Sequence, residues 1–357
     1  IRGAPGPRLP SASVAGLIRS LEPLLQEVSE SALSVVVLGY DAEARPDPPA
    51  AIDDGGRALL RALRSQLSPG ISLSAGSMSR DGRIRAWVSL DDEEFHPFET
   101  VSVVGDDLEF WFAQGSVVET PAFAASHAQA FGARTTARFQ RLSFGIVGCS
   151  GTGGPLIEML TRLGAGELVL VDDDRVEERN LNRIPNTTMA DARAKRLKVH
   201  AIKDAIRRTG LGTRVVAIPQ NLWSAEAVRA VAQCDVLFGC VDSIDGRYLL
   251  NTLATHYTLP YFDLGVRIDA VPNASGAARV REVCGSVHYL QPGRSSLMSR
   301  GVFSMEQVAA AGLRRRDPSA YMQQLKDGYI AGAQEDSPGV ISLNTYIATL
   351  AVNEFLS

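Results

Sequence analysis

Cysteine is scarce in this chain: Cys149, Cys234, Cys240 and Cys284 are the four in 357 residues, and no two share a C-x-x-C or similar spacing. That pattern excludes a disulfide framework and a zinc knuckle and fits a reducing cytoplasm. Long apolar runs are missing too. Without a stretch of about eighteen apolar residues or a signal peptide, membrane insertion is not expected. Nor is there an excess of basic residues: 36 Lys and Arg against 40 Asp and Glu give a net charge of −4. A nucleic-acid partner therefore lacks its electrostatic footprint. Internal repeats and low-complexity tracts are absent. The rest is ordinary: 45% hydrophobic and 21% charged residues, in a chain long enough for two domains and a sizeable core. Because it starts at Ile1 rather than methionine, the sequence is expected to be part of a longer protein.

Residues 1–128 read as a small mixed α/β domain. "SASVAGLIRSLEPLLQEV" and "RALLRALRSQL" have helical spacing, "ALSVVVLGY" and "GRIRAWVSL" read as strands, and "RPDPPAAIDDGG" is a loop. "FETVSVVGDDLEFWFA" reads as two strands turning at Gly105. Over residues 129–357 the order becomes strand, helix, strand: "LSFGIVG", "GPLIEMLTRLG", "ELVLVD", "AKRLKVHAIKDAIRRTG", "RVVAIP", "SAEAVRAVAQC", "DVLFGCV". That alternation predicts an α/β domain with a mostly parallel, Rossmann-like sheet. "PYFDLGVRI", "ARVREV" and "GSVHYLQPG" add strands, and "PGVISLNTYIATLAVNEFL" is an apolar closing helix.

After the strand "LSFGIVG" comes Gly148-Cys149-Ser150-Gly151-Thr152-Gly153, a glycine fingerprint with serine at its second glycine position. Such a turn lets backbone N–H groups and a helix N-terminus face phosphate oxygens. The next strand leads to Asp172, about twenty residues on, where an acid can bond ribose hydroxyls. These two features point to a nucleotide without separating a dinucleotide from ATP. The following residues favour ATP. Asp174, Asn180, Arg183, Lys198 and Asp242 supply cations that offset phosphate charge and an acid that can hold magnesium, which hydride transfer does not need. As alternatives, a loop as charged as "DDDRVEERN" is a solvated face, Lys198 is an exposed helix lysine, and Arg247 caps or pairs on its helix.

Taken together, Gly148-x-Ser150-Gly151-x-Gly153, Asp172-x-Asp174, Asn180-Leu181-Asn182-Arg183, Lys198, and Asp242 followed by Arg247 resemble the ThiF/MoeB and ubiquitin-activating adenylyltransferase family. The resemblance implies that Asp172 binds the ribose, that Asn180, Arg183 and Lys198 bind the phosphates, and that Asp242 holds magnesium. It implies ATP-dependent adenylation of the C-terminal glycine of a ubiquitin-like protein, a conjugating enzyme downstream and a homodimer. The chain departs from the family at three places. Ser126 and His127 stand where relatives carry an arginine reaching across the dimer, with Arg134 or Arg138 as substitutes. Ser296 and Ser299 replace the zinc cysteines after "PG", so no zinc is expected. No cysteine follows Cys284, which leaves Cys284 as the candidate thioester nucleophile, against a reading as a buried strand cysteine.

The first domain resembles JAMM deubiquitinases with the metal-binding pattern lost. Tyr40 and Ala42 fall at the histidine positions, Ala50 at the serine, and Asp53 keeps the aspartate. Such a domain would be a non-catalytic scaffold. The two resemblances together are similar to the activating protein of bacterial ubiquitin-like conjugation operons of the Bil type, which implies an antiphage role. Activation of a sulfur carrier, a non-catalytic platform for a ubiquitin-like partner, and a dinucleotide oxidoreductase stay open at this level.

Overall fold

The structure, a computed structural model, describes residues 34–40, 57–58, 61–62, 65, 72–78, 84–89, 94–113, 120–272, 278–330 and 339–357. The readings for residues 11–28 and 45–56, with Ala42, Ala50 and Asp53, lie outside them. The chain divides into two compact units, residues 1–103 with 109–117, and 104–108 with 118–357.

In the first unit β1 (Ser34–Tyr40) runs parallel to β2 (Ser72–Met78), which pairs antiparallel with β3 (Ile84–Ser89); β4 (His96–Pro97) closes this four-stranded sheet. Trp87 is buried on β3. β5 (Thr100–Val104) and β6 (Leu108–Phe112) pair around the expected turn at Gly105.

The second unit is built on a six-stranded sheet. Its parallel strands are β7 (Ser143–Val147), β8 (Glu167–Val171), β9 (Arg214–Ile218), β10 (Val236–Gly239) and β11 (Tyr261–Pro272), with β12 (Ala278–Leu290) antiparallel at one edge. Spatial order is β12-β11-β10-β7-β8-β9. Short apolar runs such as "SFGIV" and "ELVLV" suit strands covered on both faces, and all but the first residue of each is buried. Crossover helices Gly153–Leu163, Lys198–Thr209, Ala225–Ala232 and Ile244–His256 do the covering. Their ends follow local chemistry. Ser224 and Ser243 cap two N-termini through their hydroxyls, and Gly164 and Gly210 take the left-handed conformation that ends two others. The closing helix Ile341–Leu356 lies on helix Gly153–Leu163 and on β11 and β12. Its Phe355 joins Phe139, Phe144, Phe238 and Phe262 in one aromatic cluster, with ring centroids 5.0 to 6.3 Å apart.

Two readings change. "ARVREV" and "GSVHYLQPG" are one strand, because pairing with β11 runs straight through Cys284 and Gly285, opposite Arg267 and Val266. Cys284 is half-exposed on that strand, not buried. Helices Ala125–Phe131, Ala133–Phe139, Met305–Arg316 and Pro318–Lys326 were not anticipated. The third has a legible signal, a capping box between Ser304 and Gln307. No helix among the described residues is long and apolar enough to cross a membrane.

Phe144 is fully buried at the centre of the aromatic cluster. Phe144→Ala should cost about 3–5 kcal/mol, read from the urea midpoint of this unit. A loss under about 1 kcal/mol would show that the cluster does not hold the sheet together.

Candidate nucleotide site

The sheet reverses its strand order between β7 and β10, and ligands of open α/β sheets bind at such a switch point, beyond the carboxyl ends of the strands. There Gly148 leaves β7 with φ +90°, so close to β10 that an added Cβ would lie 2.6 Å from the Cys240 carbonyl oxygen. Only glycine fits both demands. At Gly153 an added Cβ would lie 1.9 Å from the Gly148 carbonyl oxygen, so this glycine lets the helix start against the turn.

Between them the backbone is short of acceptors. Cys149 N–H donates to the Asp172 carboxylate at 2.7 Å, and Gly154 N–H returns to the Ser150 carbonyl at 2.8 Å. The N–H groups of Ser150, Gly151 and Thr152 find no acceptor among the described residues. Three unclaimed donors at a helix N-terminus form a cradle whose natural complement is an anion such as phosphate.

The cradle opens into a cavity of about 1000 Å³. Its wall brings together Gly148, Ser150, Gly151, Asp172, Asp174, Asn180, Arg183, Lys198 and Asp242, all from the expected set. Gly153, Arg247 and Cys284 are not on it.

Asp172 follows β8. Its carboxylate also accepts the Asp174 N–H at 2.9 Å, and Lys198 Nζ lies 3.7 Å away. Burial pushes the Asp172 carboxyl above its ordinary value, and the Lys198 ammonium pulls it back. Lys198 begins a helix but is 4% exposed, so it is no surface lysine; Nζ donates to Asp174 at 2.6 Å. Asn180 is buried, and its Oδ1 accepts the Glu177 N–H at 3.1 Å, which closes a short 3₁₀ turn and places Arg183. Arg183 Nη1 donates to the Arg179 carbonyl at 2.9 Å.

Asp242 lies just past β10, exposed on the cavity wall. Among the described residues, the carboxylates of Asp172, Asp173 and Asp174 form a group whose oxygens lie within 4.8 Å of one another. Arg247 pairs with the sheet rather than on its own helix: its Nε donates to Asp263 at 2.9 Å, its Nη2 to the same carboxylate, and Tyr261 donates its hydroxyl there at 2.9 Å. Ser296 and Ser299 bond each other's backbone N–H at 2.8 and 3.1 Å, so their hydroxyls close a turn. Burial pushes the thiols of Cys149, Cys234 and Cys240 up, Cys234 to about 12, which makes all three poor nucleophiles.

Wall residues that escaped the sequence reading include Trp223, Asp245, Arg314, Arg315 and Asn344. Arg315 pairs with Asp245 at 2.8 Å and lies 3.9 Å over the Trp223 ring.

The family model described as ThiF family matches residues 124–354. The chain belongs to the ThiF family. Among its relatives is the adenylyltransferase and sulfurtransferase UBA4 of Meyerozyma guilliermondii, 32% identical over 117 residues, which is 32% of this chain and 27% of that protein. The ubiquitin-like modifier-activating enzyme 5 of Aedes aegypti is 24% identical over 209 residues, 55% of this chain and 49% of that protein. The matches thus span about a quarter to a half of these relatives' length. A crystal structure of E. coli MccB with MccA-N7isoASN aligns over 66% of this chain and 64% of that one, at 18% identity and a TM-score of 0.50. It shares the ThiF fold, a mixed α/β unit on a mostly parallel six-stranded sheet.

Raising the Asp172 pKa on folding means that the folded state binds its proton more tightly, so stability falls as pH rises above the unfolded value of about 4. Lys198→Met removes the opposing cation. The variant should match the parent near pH 4 and fall behind by roughly 2 kcal/mol by pH 7, in urea unfolding at each pH. A gap that does not depend on pH would separate Lys198 from the Asp172 charge.

Proposed function

We propose that this ThiF-family chain is an adenylyltransferase that uses ATP to activate the C-terminal glycine carboxylate of a ubiquitin-like protein. One observation carries the reading: Ser150 and Gly151, whose N–H groups have no acceptor among the described residues, line the same cavity as Asp172, Arg183, Lys198 and Asp242. A dinucleotide oxidoreductase would use the cradle and Asp172 but has little use for Arg183, Lys198 and a second carboxylate beside the phosphates.

The chemistry follows from the donors. The partner's carboxylate oxygen attacks the α-phosphorus of ATP, the bond from that phosphorus to the bridging oxygen breaks, and pyrophosphate leaves with the electron pair. Asp172 accepts from the ribose hydroxyls. The N–H cradle, Arg183 and Lys198 offset charge on the phosphates, and the chain's contribution is alignment and charge stabilisation rather than a protein nucleophile. Lys198 can change partners at little cost, because the Asp174 side chain it leaves is 70% exposed and water takes its place. The exposed carboxylate of Asp242 suits a hard cation, and it is the residue that would hold magnesium. Magnesium, when bound, neutralises phosphate charge.

Downstream, the activated chain passes to a conjugating enzyme, with half-exposed Cys284 as the candidate thioester residue, in a bacterial antiphage-type pathway in the cytoplasm. The protein acts as a homodimer; Ile341, Tyr346 and Leu350 stand exposed on the closing helix. The unit before residue 104 serves as a non-catalytic scaffold of degenerate JAMM type, with Tyr40 at the end of β1 in place of a metal ligand. Activation of a sulfur carrier is the second reading, favoured by the relative whose name includes sulfurtransferase. Both use the same adenylation step.

ATP–pyrophosphate exchange tests the proposal, with magnesium and ubiquitin-like or sulfur-carrier proteins that end in a free glycine carboxylate. Exchange should require the partner and fall about a hundredfold or more in Asp242→Ala, with folding unchanged because the side chain is exposed. Full activity in that variant would remove Asp242 from the site. Tight partner binding without exchange in the parent protein would make the chain a binding platform. Ser296→Ala should leave exchange within about twofold.

A further inference from the structure

Asn344 is the polar one among the buried residues of the closing helix, beside Ile347, Ala348, Ala351 and Val352, and neither the sequence motifs nor the family resemblance gives it a role. It is 6% exposed and reaches the cavity wall from the first turn of helix Ile341–Leu356. Its Nδ2 donates to Thr152 Oγ1 at 2.8 Å, while its Oδ1 is buried without a partner among the described residues. A buried amide that leaves half of its bonding capacity unused is costly, and a hydrophobic residue would serve packing alone better.

Thr152 occupies the N-cap position of helix Gly153–Leu163, where a threonine hydroxyl ordinarily accepts a backbone N–H of the first turn. Here it makes no such bond. The third helical position is Pro155, which has no N–H to offer, and Gly154 N–H is taken by the Ser150 carbonyl. Asn344 therefore fixes a hydroxyl that would otherwise be free to turn into the cradle and compete for its donors. The amide also limits the turn from its other side. A Cβ at Gly151 would lie 3.2 Å from Asn344 Nδ2 and 3.1 Å from Arg183 Cδ, so Gly151 is held between the closing helix and the arginine.

We propose that Asn344 is a positioning residue for the phosphates: acting through Thr152, it holds the turn 150–152 with its N–H groups turned to the ligand. The inference rests on the nucleotide reading above and adds to it a residue 192 positions beyond Thr152 in the sequence. Since Asn344 acts on the phosphate end alone, ATP and adenosine should respond differently to its loss.

The test is calorimetric titration of the full chain with magnesium ATP and, separately, with adenosine, for the parent, Asn344→Ala, Thr152→Val and the double variant. Thr152→Val is nearly isosteric and keeps the test usable if Asn344→Ala fails to fold. Each single variant should weaken ATP roughly tenfold and leave adenosine within twofold, and the double variant should be no worse than either single one, because both remove one coupled contact. Equal losses for ATP and adenosine would make Asn344 a purely structural residue and overturn the proposal. Additive losses in the double variant, or unchanged ATP binding in Thr152→Val, would overturn the route through Thr152. A parent protein that binds neither ATP nor adenosine would fail the nucleotide reading itself, and this inference with it.

Discussion

The site hangs on one buried carboxylate. Asp172 takes the N–H of Cys149 from the glycine turn and that of Asp174 from its own loop, with the Lys198 ammonium close by. Three segments distant in sequence are thereby fixed together: the turn after β7, the loop after β8 and the start of the helix that leads to β9. Burial opposes the charge this arrangement needs, and only the two N–H donors and Lys198 keep the carboxylate usable as an acceptor. An uncharged residue at 172 would release both the loop and the turn.

Around that anchor, the protein leaves hydrogen bonds unmade. Among the described residues, the N–H groups of residues 150–152 have no acceptor and Asn344 Oδ1 has no donor. Unmet donors and acceptors of this kind lower stability wherever they are shielded from water. They are tolerated because the surroundings over-determine the turn: Gly148 abuts Cys240, Gly153 abuts Gly148, and the closing helix presses Asn344 against Gly151. The rigidity comes from backbone packing, and it holds unclaimed N–H donors where an anion would use them.

How much of this could be read in the sequence differs from residue to residue. The strand and helix alternation, the glycine turn and Asp172 were legible because each depends on local patterns, apolar runs and a glycine with positive φ. Lys198 was not settled by its neighbours, since Lys195 and Arg196 beside it suggested a solvated face; only the fold turns it inward to 4% exposure. Asn344 and Arg315 were invisible for a related reason. They reach the cavity from helices far along the chain, and no spacing rule connects position 344 to position 152. β12 was misread as two strands because a glycine after Cys284 looks like a break, whereas in an antiparallel ladder the paired β11 carries the strand through it.

Arg247 and Asp242 illustrate how the sheet divides work between neighbours. Asp263 is fully buried on β11 and would be untenable as a lone charge; Arg247 meets it with a two-pronged contact and Tyr261 adds a hydroxyl. Arg247 sits in the first turn of helix Ile244–His256, which begins two residues after Asp242. Its bond to Asp263 therefore pins the helix start, and Ser243 caps that start through the Gly246 N–H at 3.3 Å. The backbone of Asp242 is thus held between β10 and an anchored helix while its carboxylate stays exposed in the cavity. The buried arginine fixes position, and the aspartate beside it stands at the strand end with its carboxylate exposed to the cavity.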